Sequence, residues 1–146
     1  MKKITTHFAS NSSFLSSKFH HIGIACKNIE KTFNDISIFL PNEFEFSDII
    51  FDEKLNAYLQ LISIGNQAHI ELVSGEIVEN FLKKDTILYH TCFEVGNIKK
   101  YSESLKSKGF VPITKMMPAD LFEGRLIQFF RTPLGLTEIL ESKHEN

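Results

Sequence analysis

The stretch Phe19-His20-His21-Ile22-Gly23-Ile24-Ala25-Cys26 has an echo 69 residues later, Leu88-Tyr89-His90-Thr91-Cys92-Phe93-Glu94-Val95. Each reads as a short buried strand with a histidine near its start. In each copy Asn-Ile and a basic run begin seven residues after that histidine. They are Asn28-Ile29-Glu30-Lys31 after His21 and Asn97-Ile98-Lys99-Lys100 after His90. Such a chain folds as two copies of one unit. In 146 residues the two copies have room for only one shared core.

The first copy opens with a strand over 19–26. Asn28 is placed to cap a helix, and Ile29, Phe33, Ile36 and Leu40 recur at helical spacing until Pro41-Asn42. Strands follow over 43–51, 56–64 and 68–74, with Asp52-Glu53-Lys54 as one turn and Gly65-Asn66 as a hairpin signal. The second copy repeats the order. A strand over 88–95 leads to a helix over 97–108, stopped by Gly109. Strands then run over 110–117, 125–131 and 136–141, with a loop at 118–124.

The expectation is an α+β fold in which two tandem βαβββ modules form a curved eight-stranded sheet around a metal cleft. A flexible N-terminal lead spans 1–18, the first module 19–75, a linker helix 76–87 and the second module 88–142, together one domain. Apolar residues make up 42% of the chain, enough for an ordinary core. The net charge of −2 and the lack of a basic cluster argue against a nucleic-acid partner. No apolar run reaches membrane-spanning length, and no apolar segment follows Lys2-Lys3 as a secretory signal requires. A cytoplasmic protein with two buried thiols, Cys26 and Cys92, is therefore expected.

Parity along the strands selects the candidate site, because neighbouring side chains alternate faces. His21 shares a face with Gly23 and Ala25, and His90 with Cys92 and Glu94. His20 faces away from His21 unless a bulge intervenes. The fourth strand of each half carries a carboxylate in an apolar run, Glu71 in His69-Ile70-Glu71-Leu72-Val73 and Glu138 in Leu136-Thr137-Glu138-Ile139-Leu140. A carboxylate buried there needs a partner. Taken singly, a histidine or glutamate on a strand is more often a solvent-facing or salt-bridged residue than a ligand. The repeated His–Glu spacing, 50 residues in one half and 48 in the other, reverses that. Two histidines and two glutamates suit one divalent ion such as Zn, Ni, Co, Mn or Fe, with positions left for substrate oxygens. His69 shares the face of Glu71 but has no counterpart, and His7 and His144 fall in tails.

These stretches resemble the vicinal oxygen chelate superfamily, which includes glyoxalase I, methylmalonyl-CoA epimerase, extradiol dioxygenases and bleomycin-resistance proteins. The resemblance covers about residues 19–141. It rests on His20-His21-Ile22-Gly23-Ile24-Ala25, Ile70-Glu71-Leu72-Val73, Tyr89-His90-Thr91-Cys92-Phe93-Glu94-Val95 and Glu138-Ile139-Leu140-Glu141. It is closest to the glyoxalase/epimerase branch. The metal ligands it implies are His21, Glu71, His90 and Glu138, the set that parity selects.

The resemblance also implies a reaction. Proton transfer occurs on the carbon next to a carbonyl, through a metal-stabilised enediolate or enolate. Glu138 is the first candidate base, and Glu71 serves the opposite face. The substrate is a small carbonyl compound or thioester, and a homodimer is suggested by analogy. The third strand departs from the epimerase pattern, offering Tyr58 and Gln60 where a carboxylate is expected. Tyr58, Gln60, its near counterpart Gln128, and Arg125 are the candidate substrate-binding residues. The alternatives are a non-catalytic small-molecule-binding protein of the same fold, active in resistance or sequestration, and an extradiol-type oxygenase. The second carboxylate makes the oxygenase the weaker of these.

Overall fold

The protein is seen here as a computed structural model that describes residue 1, residues 16–65 and residues 68–143. Most of the expected N-terminal lead, His7, Asn66 of the hairpin signal and His144 lie outside the described residues. The elements are β1 (Ser17–Ala25), α1 (Ile29–Ile36), β2 (Glu45–Phe46), β3 (Ile50–Asp52), β4 (Ala57–Ile64), β5 (Ala68–Gly75) and α2 (Glu76–Leu82), then β6 (Leu88–Val95), α3 (Ile98–Ser107), β7 (Val111–Pro112), β8 (Met117–Pro118), β9 (Leu126–Thr132) and β10 (Gly135–Glu141).

The strands form one open, curved sheet in the order β2-β4-β5-β1-β6-β10-β9-β7, with β3 also paired to β4 and β8 to β9. That order reads the same from either edge, so the two halves meet at the antiparallel β1–β6 pair. Within each half the first strand runs parallel to the last, β1 with β5 and β6 with β10.

Ten strands are present among the described residues where eight were expected. The second strand of each half is broken in two, giving β2 and β3 in one and β7 and β8 in the other. Each break is held by a buried glutamine on the neighbouring strand. The Gln60 amide donates to the carbonyl of Ser47 at 3.0 Å, and the Gln128 amide donates to that of Thr114 at 3.0 Å.

Both long helices start as their sequences dictate. The Asn28 side chain accepts from the backbone N–H of Lys31 at 2.7 Å, and the Asn97 side chain from that of Lys100 at 3.0 Å. Helix α1 lays Ile29, Phe33 and Ile36 on Ile62 and Leu72 of the sheet. Helix α3 lays Ile98, Tyr101 and Leu105 on Phe130 and Ile139. Each fully buried aliphatic side chain contributes roughly 1.5–3 kcal/mol.

Other apolar clusters lie around the cleft. One gathers Ala57, Leu59, Val73, Val78 and Tyr89, and another Cys92, Phe122, Ile127, Phe129 and Leu140. The helix expected to link the halves is α2, which buries Val78. Cys26 and Cys92 are both buried free thiols. No helix among the described residues is long and apolar enough to cross a membrane.

Candidate metal centre

The four central strands each deliver one side chain to a common point: Glu71 from β5, His21 from β1, His90 from β6 and Glu138 from β10. Register explains the convergence. Glu71 pairs with Gly23, two residues beyond His21, and Glu138 pairs with Cys92, two residues beyond His90. The duplicated spacing thus becomes duplicated geometry about the β1–β6 seam. One ligand-type atom from each residue lies within 4.8 Å of every other. The Nε2 atoms of His21 and His90 are 2.9 Å apart. Glu138 Oε2 lies 3.2 Å from both, and Glu71 Oε2 lies 3.4 and 3.2 Å from them. All four residues are at most 4% exposed.

Burial and pairing compete here. Burial alone would lower the pKa of His90, but hydrogen bonds to Glu138 and Glu71, with their charge, outweigh it and raise it to about 9. His21 rises for the same reasons. Burial would raise both glutamates, yet the two imidazoles hold them below the usual carboxylate range. A proton on His90 therefore offsets part of the buried negative charge.

The donor set fits a divalent ion. Two imidazole nitrogens and two carboxylate oxygens face one point. Two carboxylates would neutralise a 2+ charge.

Two loop tips close over the cluster, one from each half. Leu55 follows Asp52, whose carboxylate accepts from the N–H groups of Lys54 and Leu55 at 2.9 and 3.1 Å. Leu121 and Phe122 sit on a 3-10 turn, Asp120–Phe122. Lys54 and Asp120 join the tips at 2.8 Å. Beneath them Leu55, Leu121 and Phe122 share with Glu71, His90 and Glu138 a cavity of about 10 Å³, room for about one water. Beyond it lies a cleft of about 510 Å³ lined by Leu55, Ile77, Phe81, Tyr89, Phe129 and Arg131, among others.

The residues expected to bind substrate are not brought to the cluster. Tyr58 is 52% exposed and packs on Phe51, with ring centroids 5.0 Å apart. Gln60 and Gln128 occupy the opposite face from the quartet, because Glu71 is paired with Leu61 and Glu138 with Phe129. Gln128 accepts from the Ser102 hydroxyl of α3 at 2.7 Å. Arg125 is committed to Glu94 at 3.2 Å, to the backbone carbonyl of Glu141 at 3.2 Å and to the face of Phe122.

His20 does not face away from His21. The β1–β6 register slips between Phe19 and His21, and the two Nδ1 atoms lie 2.8 Å apart. Burial and the neighbouring His21 and His69 push His20 down to about 3, so it is neutral at ordinary pH. Sequence reasoning also missed the paired loop tips. The available signal was an interruption at the same place in each half, between its second and third strands.

The sequence model of the glyoxalase/bleomycin resistance protein/dioxygenase superfamily matches residues 20–129. No curated protein matches the chain. Among solved structures, a hypothetical protein from Bacillus halodurans C-125 is 21% identical with a TM-score of 0.73, over 90% of this chain and 98% of that one. Methylmalonyl-CoA epimerase from Mycobacterium tuberculosis is 16% identical with a TM-score of 0.75, over 94% and 95%. A Streptomyces coelicolor methylmalonyl-CoA epimerase in complex with 2-nitronate-propionyl-CoA is 20% identical with a TM-score of 0.70, over 89% and 99%. At these identities the likeness is one of fold.

Proposed function

The chain belongs to the glyoxalase/bleomycin resistance protein/dioxygenase superfamily, and from that premise we propose that it is a metal-dependent isomerase or lyase moving a proton on the carbon beside a carbonyl. The observation that carries this reading is the Glu-His-His-Glu quartet, one residue from each central strand, buried beneath two loop tips. His21, Glu71, His90 and Glu138 would hold one divalent ion. When bound, that ion supplies Lewis acidity to a substrate carbonyl.

The protein's own groups do the rest. Glu138 takes the proton, as a carboxylate whose Oε2 stands at the common point, 3.2 Å from both imidazoles. Glu71 stands across the seam from it and serves the opposite face of the same carbon. Tyr89 and Phe129, packed edge-on against His90 with ring centroids 4.9 and 5.3 Å away, exclude water from the reacting carbon. The cleft beyond them takes the non-reacting part of the substrate, with Arg131 at its wall.

Acyl-CoA thioesters such as methylmalonyl-CoA are the first compounds to test, because similar folds are epimerases of that substrate. Hemithioacetals of 2-oxoaldehydes are the second. The experiment is elemental analysis of the purified protein, then exchange of the substrate α-proton in D2O followed by NMR. About one divalent ion per chain, and loss in Glu138→Gln of exchange on the face that Glu138 serves, are expected. A protein that takes up no ion after supplementation, or exchanges no proton in either substrate class, overturns the proposal.

A further inference from the structure

The geometry points to His20 as a positioning residue for His21, fixing the tautomer and direction of that imidazole through a hydrogen bond between their Nδ1 atoms. The inference rests on the metal-centre reading above and adds to it a residue outside the four ligands.

A regular strand would turn His20 to the other face of the sheet. Instead Phe19 pairs with Phe93 and His21 with Cys92, so one residue of β1 is unpaired. A bulge beside a site re-aims a side chain. Here it brings the His20 ring to 5.1 Å from His21, centroid to centroid.

The atoms then follow in order. An imidazole that offers its Nε2 lone pair to the cluster carries its proton on Nδ1. That proton has one acceptor, the Nδ1 of His20 at 2.8 Å. His20 in turn carries its proton on Nε2, which faces Glu94 Oε2 at 4.0 Å. Lys18 and Arg125 fix Glu94 from two sides, at 3.1 and 3.2 Å. His69 and Phe122 hold the His20 ring, with centroids 4.5 and 5.5 Å away.

The other half has no such device. Tyr89 stands where the repeat places His20, and the buried Nδ1 of His90 has no hydrogen-bond partner. The two histidines of a duplicated site are therefore oriented by different means. A histidine that merely filled space would not need a bulge or the facing nitrogen. Partners of this kind change metal affinity by about 10–100-fold when removed.

The test uses the full chain and Zn²⁺. Affinity is measured by competition with a chromophoric chelator, and the Co²⁺ ligand-field spectrum is recorded for the same proteins. His20→Phe fills the space without an acceptor, and His20→Asn keeps an acceptor where Nδ1 stood. The expected result is about a 10–100-fold loss of Zn²⁺ affinity in His20→Phe, with a shifted Co²⁺ spectrum, and recovery in His20→Asn. Long-range ¹H–¹⁵N spectra of the zinc-loaded wild type should show His21 protonated at Nδ1, a result that needs no variant to fold.

Wild-type affinity in His20→Phe, equal losses in both variants, or the opposite His21 tautomer would each overturn the inference. In all three cases the metal reading would survive. A wild type that binds no Zn²⁺ overturns both.

Discussion

The His90 imidazole lies directly on the backbone of Gly23. A Cβ at that position would sit 2.9 Å from His90 Cγ and closer still to Cε1 and Nδ1. Gly23 and His90 are also cross-strand partners at the seam between the halves. The glycine is required here because the ring occupies the volume a side chain would fill, so packing orients His90 where a hydrogen bond orients His21.

Gly23→Ala should therefore damage the site more than the fold. Displacing a packed ring costs about 1–3 kcal/mol, and the Zn²⁺ affinity should fall at least as far as in His20→Phe. Calorimetric unfolding and chelator competition, run together, check this. Unchanged Zn²⁺ affinity would show that the close approach does not set the ligand geometry.

The metal-free protein should be most stable near pH 6.5, because below it the unfolded chain protonates His20, which folding holds at about 3. His90 rises from 6.5 to about 9 on folding, so its contribution is complete below 6.5 and fades as the pH climbs towards 9. Glu71 and Glu138 fall below their usual 4.5, so theirs is present above 4.5 and is lost on acidification. Urea unfolding across this range reads the curve directly. A metal-free protein that gains stability from pH 7 to pH 9 would contradict the assignment.

Zn²⁺ loading at pH 7 should release protons, since the ion takes the place of those shared by the imidazoles and carboxylates. About one proton per ion is expected from His90 alone. Titration calorimetry in buffers of different ionisation enthalpy measures the number. Loading without proton release would mean that the metal-free quartet is not held together by protons.

Glu138→Gln removes a charge while keeping the shape. Breaking a buried ion pair costs about 3–5 kcal/mol, so the metal-free variant should melt at a lower temperature, bind Zn²⁺ more weakly and lose proton exchange on the face that Glu138 serves. Glu71→Gln separates the two carboxylates. If Glu138 is the base for one face only, deuterium incorporation from one substrate epimer should survive in Glu71→Gln.

Gln60→Ala and Gln128→Ala should destabilise the chain by about 1–3 kcal/mol each, because the Ser47 and Thr114 carbonyls lose their donors. Neither should change Zn²⁺ affinity or the KM for proton exchange. A raised KM with unchanged stability would return these glutamines to the substrate.

The four converging residues were legible in the sequence because the repeat marks them twice. Spacing within one half alone would not have separated Glu71 from any other strand carboxylate. The helix caps, Asn28 and Asn97, were legible for the same reason. The glutamines were misread because face depends on register. A two-residue turn at Gly65-Asn66 would set Gln60 opposite Glu71, whereas the pairing of Ile64 with Ala68 sets Leu61 there, and one step reverses the face. Parity placed His20 on the other face unless a bulge intervened, and the slip at Phe19/His21 that brings it round leaves no mark in residue type. The broken second strands escaped notice because their cause is a tertiary hydrogen bond from a neighbouring strand.

The join between Lys54 and Asp120 is the one ion pair that ties the two loop tips together among the described residues. Both side chains stand at the surface, where dissolved electrolyte weakens such pairs over a Debye length of about 8 Å at physiological concentration. The quartet below is sealed from solvent and feels none of this directly. Ionic strength thus becomes a control on how often the interior opens: raising it should speed both uptake and loss of the ion and leave their ratio nearly constant. A buried centre that equilibrates slowly in dilute buffer and quickly in brine would bear the signature of that single surface contact.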